Sequence, residues 1–511
     1  MNPAGKSNGK TTRYVIAGGG SAGWMAAALL ARFLPPGDTV TLVESEEIGI
    51  VGVGEATIPQ IRLINSALGI SEPDFMQAVN GTYKLGIRFV DWLRKGESYV
   101  HAFGTVGRSA GLAHFYPYWA RAHTLGIAKP LVAYARNARA ALDLKMGRGT
   151  PRGPGGEIPY AFHFDAALYA KFLRSLAERQ RARRVEGKIA TVEQDGENGH
   201  IAALVLESGE RVEGDFFIDC TGFRALLAGQ ALGTDYADWT HYLPCDRAVA
   251  VPCASGGDFT PYTTTTARKA GWQWRIPLQT RIGNGHVYCS KFISDDEAAD
   301  ILLANLDGEP EADPRVIPFT TGTRTEHWSK NCLALGLASG FLEPLESTSI
   351  YLTQSSITRF LQVLPHGGRA DQATIDWFNR KIAFEWERTR DFILLHYMAN
   401  ERRGEPFWDH MRAIEPPAAL AEKIDVWRAT GTISREQDEL FTEVAWFQVM
   451  VEQGILPESY TALADALPED QLVRMLDNIE SDITREVRGM RTHAEFLGTV
   501  LRSASPGGLP S

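Results

Sequence analysis

Cysteine is scarce in this chain, with five in 511 residues. Cys220, Cys245, Cys253, Cys289 and Cys332 stand far apart, and no pair has C-x-x-C spacing. A disulfide framework and a zinc site are therefore not expected, and a reducing, cytoplasmic setting fits best. Basic charge is also short: 52 Lys and Arg against 62 Asp and Glu leave a net charge of −10. That balance argues against a surface that coats nucleic acid or an anionic membrane. Nor is there a long unbroken apolar run. Tyr14 to Ala31 is uncharged and follows Lys6, Lys10 and Arg13, in the manner of a signal peptide. Three consecutive glycines interrupt it and no cleavage pattern follows, so neither secretion nor membrane insertion is expected. The apolar share of 44% and aromatic share of 10% exclude general disorder.

What is present begins with a nucleotide fingerprint. After a polar tail (residues 1–12), Arg13–Ala17 reads as a strand. Gly18-Gly19-Gly20-Ser21-Ala22-Gly23 follows, then a helix from Trp24 to Phe33 that Pro35-Pro36-Gly37 ends. Thr39–Val43 reads as a second strand and finishes in Glu44, beside Ser45. This is the strand, G-x-G-x-x-G, helix, strand, acid order of dinucleotide sites. Gly18 permits the tight turn, Gly20 lets backbone N–H groups approach a pyrophosphate, and Gly23 allows close helix–strand packing. The helix N-terminus favours the phosphates, and Glu44 is placed to accept ribose hydroxyls. A second glycine loop, Gly49 to Pro59, comes too soon for a bare NAD site and points to FAD, with Val53 and Ala56 beside the flavin. No second dinucleotide fingerprint is evident, which fits reduced flavin delivered by a separate reductase.

Asp165 to Arg184 reads as one helix with Leu168, Phe172, Leu173 and Leu176 on its apolar face. Its basic end (Arg179, Arg181, Arg183, Arg184) is taken as solvated. Strand-like runs follow at Gly187–Val192, Ile201–Leu206 and Asp215–Cys220. Two later returns, Thr221-Gly222 and Asn331 to Gly340, repeat the strand-to-glycine logic, which brings Leu337 and then Ile350 to the cofactor. The fold class expected is α/β: an FAD-binding GR2-type module with mixed sheets plus a mostly helical substrate-binding region. Residues 13–110 and 165–360 form the two parts of the module, 111–164 an insertion near the substrate pocket, and 361–505 a helical cover.

Five motifs then converge: Gly18 to Trp24, Gly52-Val-Gly-Glu-Ala-Thr-Ile-Pro59, Asn80-Gly-Thr-Tyr-Lys84, Gly271-Trp-Gln-Trp-Arg-Ile-Pro277 and Phe341-Leu-Glu-Pro-Leu-Glu-Ser-Thr-Ser349. With them the chain resembles the flavin-dependent halogenases of the tryptophan halogenase type over nearly its whole length. The resemblance implies that FADH₂, O₂ and chloride or bromide yield hypohalous acid at the flavin, which then reaches a separate arene pocket. It assigns Lys84 to hydrogen-bond the oxidant or form a haloamine, and Glu346 to polarise it and accept the ring proton. Backbone N–H groups of Thr348 and Ser349 hold the halide, although the family usually has glycine at the second position. Trp272, Trp274, Ile276 and Pro277 wall off the flavin, and His101 and Phe103 line the substrate pocket. Read without the resemblance, Lys84 is a surface lysine on a helix and His101 a structural histidine. Halogenases of free tryptophan carry a late tyrosine cluster, whereas Tyr460 is the only tyrosine after Tyr397 here. A different, indole-like arene is the expected substrate; the assembly is left open, with a homodimer as one option. The alternatives are a flavin-dependent aromatic hydroxylase and a non-catalytic FAD-binding protein.

Overall fold

The near-continuous apolar run Tyr14–Ala17 suits a strand buried on both faces, and it occupies the interior of a six-stranded sheet. Thr39–Glu44 pairs parallel on one side (Ala17 opposite Val43) and Phe216–Asp219 parallel on the other (Val15 opposite Phe217). Arg183–Glu186 and Cys332–Ala334 extend the sheet in parallel, and Trp328–Ser329 closes one edge antiparallel. Residues from five separated stretches thus meet in one layer. The helices Ser21–Phe33, Ala166–Arg179 and Ser349–Gln362 pack together beside it. In this computed structural model residues 11–47, 54–149, 156–257 and 259–505 are described.

A second sheet has seven strands in the order Arg315–Pro318, Arg247–Ala254, Arg281–Tyr288, Gly271–Pro277, Thr263–Arg268, Gly86–Val90, Ser98–Ala102. All neighbours are antiparallel except the pair Thr263–Arg268 and Gly86–Val90. Ser98–Ala102 is an edge. A small third sheet joins Gly54–Ala56 to Thr82–Lys84 through the shared middle strand Ala161–Asp165. Helices dominate the later chain: Gln372–Met398, Glu443–Glu452 and Glu469–Arg488. In the last, Leu472, Leu476, Ile479, Ile483 and Val487 are buried at helical spacing while the rest of the surface is polar. Among the described residues no helix is long and apolar enough to cross a membrane, and all five cysteines are free.

Three local readings are corrected. The helix expected from Asp165 to Arg184 runs only from Ala166 to Arg179. Asp165 is its cap, with Oδ1 accepting from the Ala167 and Leu168 N–H groups at 2.9 and 3.0 Å. Arg181 then takes φ = 72° and breaks the run. Arg183 and Arg184 belong to a strand, so they are not a helix end; Arg184 is paired with Glu44 and Glu186. The next strand runs from Ile189 to Gln194 rather than from Gly187. Lys84 lies on a strand, not a helix, and is fully buried.

Trp274 lies directly across from Gly285 on the neighbouring strand, and a Cβ at Gly285 would stand 2.1 Å from the indole ring. Gly285→Val is therefore expected to lose about 1–3 kcal/mol of stability through overpacking, read as an earlier urea-unfolding midpoint.

Candidate functional site

A cavity of about 1430 Å³ runs from the glycine fingerprint to the second sheet. Gly18, Gly19, Gly20 and Ala22 border it at one end, with Glu44 and Ser45 beside them. Ala56, Trp274 and Ile276 border it further on, and Leu337, Ser349 and Ile350 complete that wall. Gly23 is buried against the strand–helix turn instead: a Cβ there would meet the Gly18 carbonyl oxygen at 1.9 Å. Val53 lies outside the described residues.

The residues fit a dinucleotide. Gly18 has φ = 104°, and a Cβ on it would sit 2.2 Å from the Cys220 carbonyl oxygen. At Gly20 a Cβ would meet nothing within 4 Å, so backbone there is open to the cavity. Helix Ser21–Phe33 starts at that residue with no side-chain cap and no acid in its first turn, which leaves its positive end for an anion. Gly54 and Gly283 press together, with a Cβ on Gly54 only 3.3 Å from Gly283 Cα, so the backbone at Gly54 lies against the sheet that carries Trp274 and Ile276. One extended cavity with a phosphate-favouring end and an aromatic end fits FAD. Glu44 has partners of its own: its Oε1 accepts from Arg184 Nε at 2.6 Å and its Oε2 from Trp24 Nε1 at 3.3 Å.

Beyond the aromatic end lies a second cluster. Ser347, a non-glycine residue at φ = 59°, borders the cavity. Its Oγ accepts from Lys84 Nζ at 2.7 Å, a direct contact between the cavity wall and the buried amine. Phe103 turns its ring toward the same nitrogen, 5.4 Å from the centroid. Burial pushes the Lys84 amine down to about 7, against the opposing pull of the Glu346 charge. Glu346 is itself buried. Burial alone would raise its carboxyl, but the charge and hydrogen bond of His101, aided by His396, bring it down to about 2.

The geometry explains that outcome. His101 Nδ1 lies 2.9 and 3.0 Å from the two Glu346 oxygens. An ionised carboxylate only accepts, so Nδ1 carries the proton in this assignment. His396 Nε2 stands 2.8 Å from Oε1, close in distance though without hydrogen-bond alignment. His396 is stacked on Phe89 at 4.5 Å, and its Nδ1 is 3.1 Å from the Tyr99 hydroxyl. Burial lowers its imidazole below the ordinary range.

Trp272 and Trp274 play different parts. Trp274 borders the cavity, whereas Trp272 is fully buried behind it and donates from Nε1 to Glu343 Oε2 at 2.6 Å. Tyr397 donates to the same oxygen at 2.5 Å, while burial raises the Glu343 carboxyl to about 7. Pro277 also stands off the cavity; its carbonyl accepts from Thr82 Oγ1 at 2.6 Å. That hydroxyl is 2.9 Å from His163 Nδ1, and His163 Nε2 is 3.0 Å from Thr263 Oγ1 on the cavity wall. Thr348 is buried at the head of helix Ser349–Gln362 and makes no side-chain cap bond, so the first-turn N–H groups of that helix have no side-chain acceptor from it.

Ser347, His396, Glu343, Tyr397 and His163 were not singled out from sequence. His396 sits at helical spacing with Phe392 and reads as core. A usable signal was the alternation Tyr99, His101, Phe103, which places all three on one strand face. The left-handed turn at Ser347 has no glycine to announce it.

The chain is similar along nearly its whole length to proteins of known activity. The family model described as tryptophan halogenase matches residues 13–469. Tryptophan 6-halogenase SttH of Streptomyces toxytricini is 34% identical over 96% of both chains. Among solved structures, a flavin-dependent halogenase from Xanthomonas campestris superposes with a TM-score of 0.93 at 44% identity, over 97% of this chain and 99% of that one. BrvH, a flavin-dependent halogenase from a Brevundimonas species, gives 0.92 at 42% identity, over 96% and 99%.

Because the Lys84 amine titrates near 7 when folded and near 10.4 when free, the unfolded chain binds more protons between those values. Its burial therefore costs stability at neutral pH, and the cost fades as pH rises. Lys84→Met is expected to be more stable than the parent by about 1–4 kcal/mol at pH 7 in urea titrations. The gain should shrink toward pH 10.

Proposed function

This chain belongs to the tryptophan halogenase family, and we propose on that premise that Lys84 and Glu346 halogenate an indole-like ring in a chamber beside the flavin. The chain is a flavin-dependent halogenase, an oxidoreductase that draws FADH₂ from a separate reductase. When bound, the reduced flavin supplies hypohalous acid from O₂ and chloride or bromide. The residues that would hold it are the Gly18–Gly20 turn, the head of helix Ser21–Phe33, and Ala56, Leu337 and Ile350. We assign the halide to the backbone N–H groups of Thr348 and Ser349, at a helix N-terminus that no side chain caps.

The observation that carries the reading is the Lys84–Ser347 contact, which joins the cavity wall to a fully buried amine. An amine that titrates near 7 is present at neutral pH both as ammonium and as free base. The ammonium donates to the oxidant; the free amine takes the halogen as a haloamine, the oxygen–halogen bond breaking and the lost N–H proton leaving with the hydroxide as water. Either way Lys84 fixes where the electrophile stands. Glu346 enters the step ionised, because two histidines flank it. Its charge stabilises the ring cation as it forms, and it then accepts the ring proton. A carboxylate of such low basicity is adequate, since a ring cation is a strong acid. Trp274 and Ile276 separate arene from flavin and keep water from both.

Free tryptophan is not the substrate in this reading. Tyr460, the one tyrosine beyond Tyr397, is engaged with Asp465 at 3.3 Å. The five free cysteines support a reducing, cytoplasmic setting.

Indole incubated with the protein, FAD, a flavin reductase and bromide should gain bromine, read by mass spectrometry from its isotope pattern. A gain of one oxygen instead would favour the hydroxylase alternative. Glu346→Gln should lower the halogenation rate by roughly 10²–10⁴-fold with FAD binding intact; loss of FAD would reassign Glu346 to structure. Lys84→Ala should abolish halogenation, and a wild-type rate would remove its directing role.

A further inference from the structure

The strand Ser98–Ala102 pairs with Gly86–Val90 on one side only, because it is the edge of the seven-stranded sheet. An edge strand leaves every second residue with outward N–H and C=O groups that need partners. At Ala102 both are taken by one side chain. The Ala102 N–H donates to Gln448 Oε1 at 3.1 Å, and Gln448 Nε2 donates to the Ala102 carbonyl at 3.1 Å. Gln448 thus supplies, from helix Glu443–Glu452, the donor and acceptor of an absent neighbouring strand. It is 2% exposed, so water cannot replace it.

Ala102 is the residue between His101 and Phe103. One of these holds the Glu346 carboxylate and the other sets its ring against Lys84. From the end of the same helix, Gln453 Nε2 donates to the His396 carbonyl at 2.6 Å. The backbone beneath both histidines that flank Glu346 is therefore held by glutamines of a single helical segment.

We propose that Gln448 is a positioning residue for the halogenation step, fixing His101 and Phe103 through the backbone between them and so registering Glu346 and Lys84 on the substrate. The inference rests on the reading that these last two groups act on the arene. A side chain that carries one donor and one acceptor is required; a purely apolar replacement leaves two buried backbone groups unpaired.

The test uses the full chain with indole as probe and reduced FAD in fixed supply. In Gln448→Glu the new carboxyl, when neutral, offers an O–H donor and a C=O acceptor and can restore the pair. Once ionised it offers acceptors alone and sets a negative charge against the Ala102 carbonyl. Its kcat is expected near wild type at acid pH. It should then fall on the order of ten- to hundred-fold as pH rises, the scale on which misplaced catalytic groups act, with KM and FAD binding little changed. The ratio of ring-position isomers should shift along the same limb. Lys84 and Glu452, both near 7, together with Tyr99, His101, Glu346 and His396, give both proteins a common pH dependence, so the readout is the additional fall of Gln448→Glu relative to wild type. Gln448→Leu should be slow at every pH. A soluble Gln448→Glu protein with the wild-type pH profile and isomer ratio overturns the inference, whether or not Gln448→Leu folds. Lys84→Ala and Glu346→Gln run in parallel separate the two levels. If these halogenate normally, the underlying reading fails; if they are dead while the Gln448 variants are unaffected, only this inference fails.

Discussion

An ionised carboxylate in a dry interior is the constraint around which this site is built. Glu346 keeps its charge because an imidazole donates to both of its oxygens and a second stands against one of them. Each histidine then needs support. His396 has the Tyr99 hydroxyl and the Phe89 ring, and His101 has the strand that carries it. The cost of burying charge is thereby spread over a sheet edge and a helical cover. Lys84 shows the opposite solution. With a serine hydroxyl and an aromatic face beside it, its amine gives way to burial, against the pull of Glu346, and titrates near neutrality. One element of the pair is held charged and the other is left poised between two forms.

The cavity and the Lys84 amine meet at Ser347, which stands in a backbone turn that L-residues rarely adopt. Glu343, one helical turn earlier, anchors Trp272 and Tyr397 and so stiffens the layer behind Trp274. The segment Glu343–Ser347 therefore contributes to three jobs in succession: a wall anchor, the carboxylate, and the contact to the amine.

How much of this could be read from residues alone depended on whether the signal was local. The fingerprint Gly18–Gly23 and the strand Ile201–Leu206 were legible because turn chemistry and periodicity state them directly. The helix past Arg179 was overextended, since the left-handed Arg181 carries no glycine. Lys84 was legible as important only through a motif; its own neighbours Tyr83 and Leu85 describe a buried strand as well as a helix. The roles of His396, Glu343 and Gln448 depend on contacts across tens or hundreds of residues, and no spacing in the chain announces those. Trp272 and Trp274 were treated alike because they share a motif, yet one borders the cavity and the other does not.

The shared middle strand Ala161–Asp165 has a consequence for redesign. Lys84 ends a three-residue strand in register with Ala161, and side chains alternate faces along it. Inserting or deleting one residue between Asn80 and Lys84 would turn the amine to the opposite side of the sheet. The helical cover has no such parity. Loops there can be lengthened or exchanged while the amine keeps its address, because none of them sets which face of the sheet it stands on.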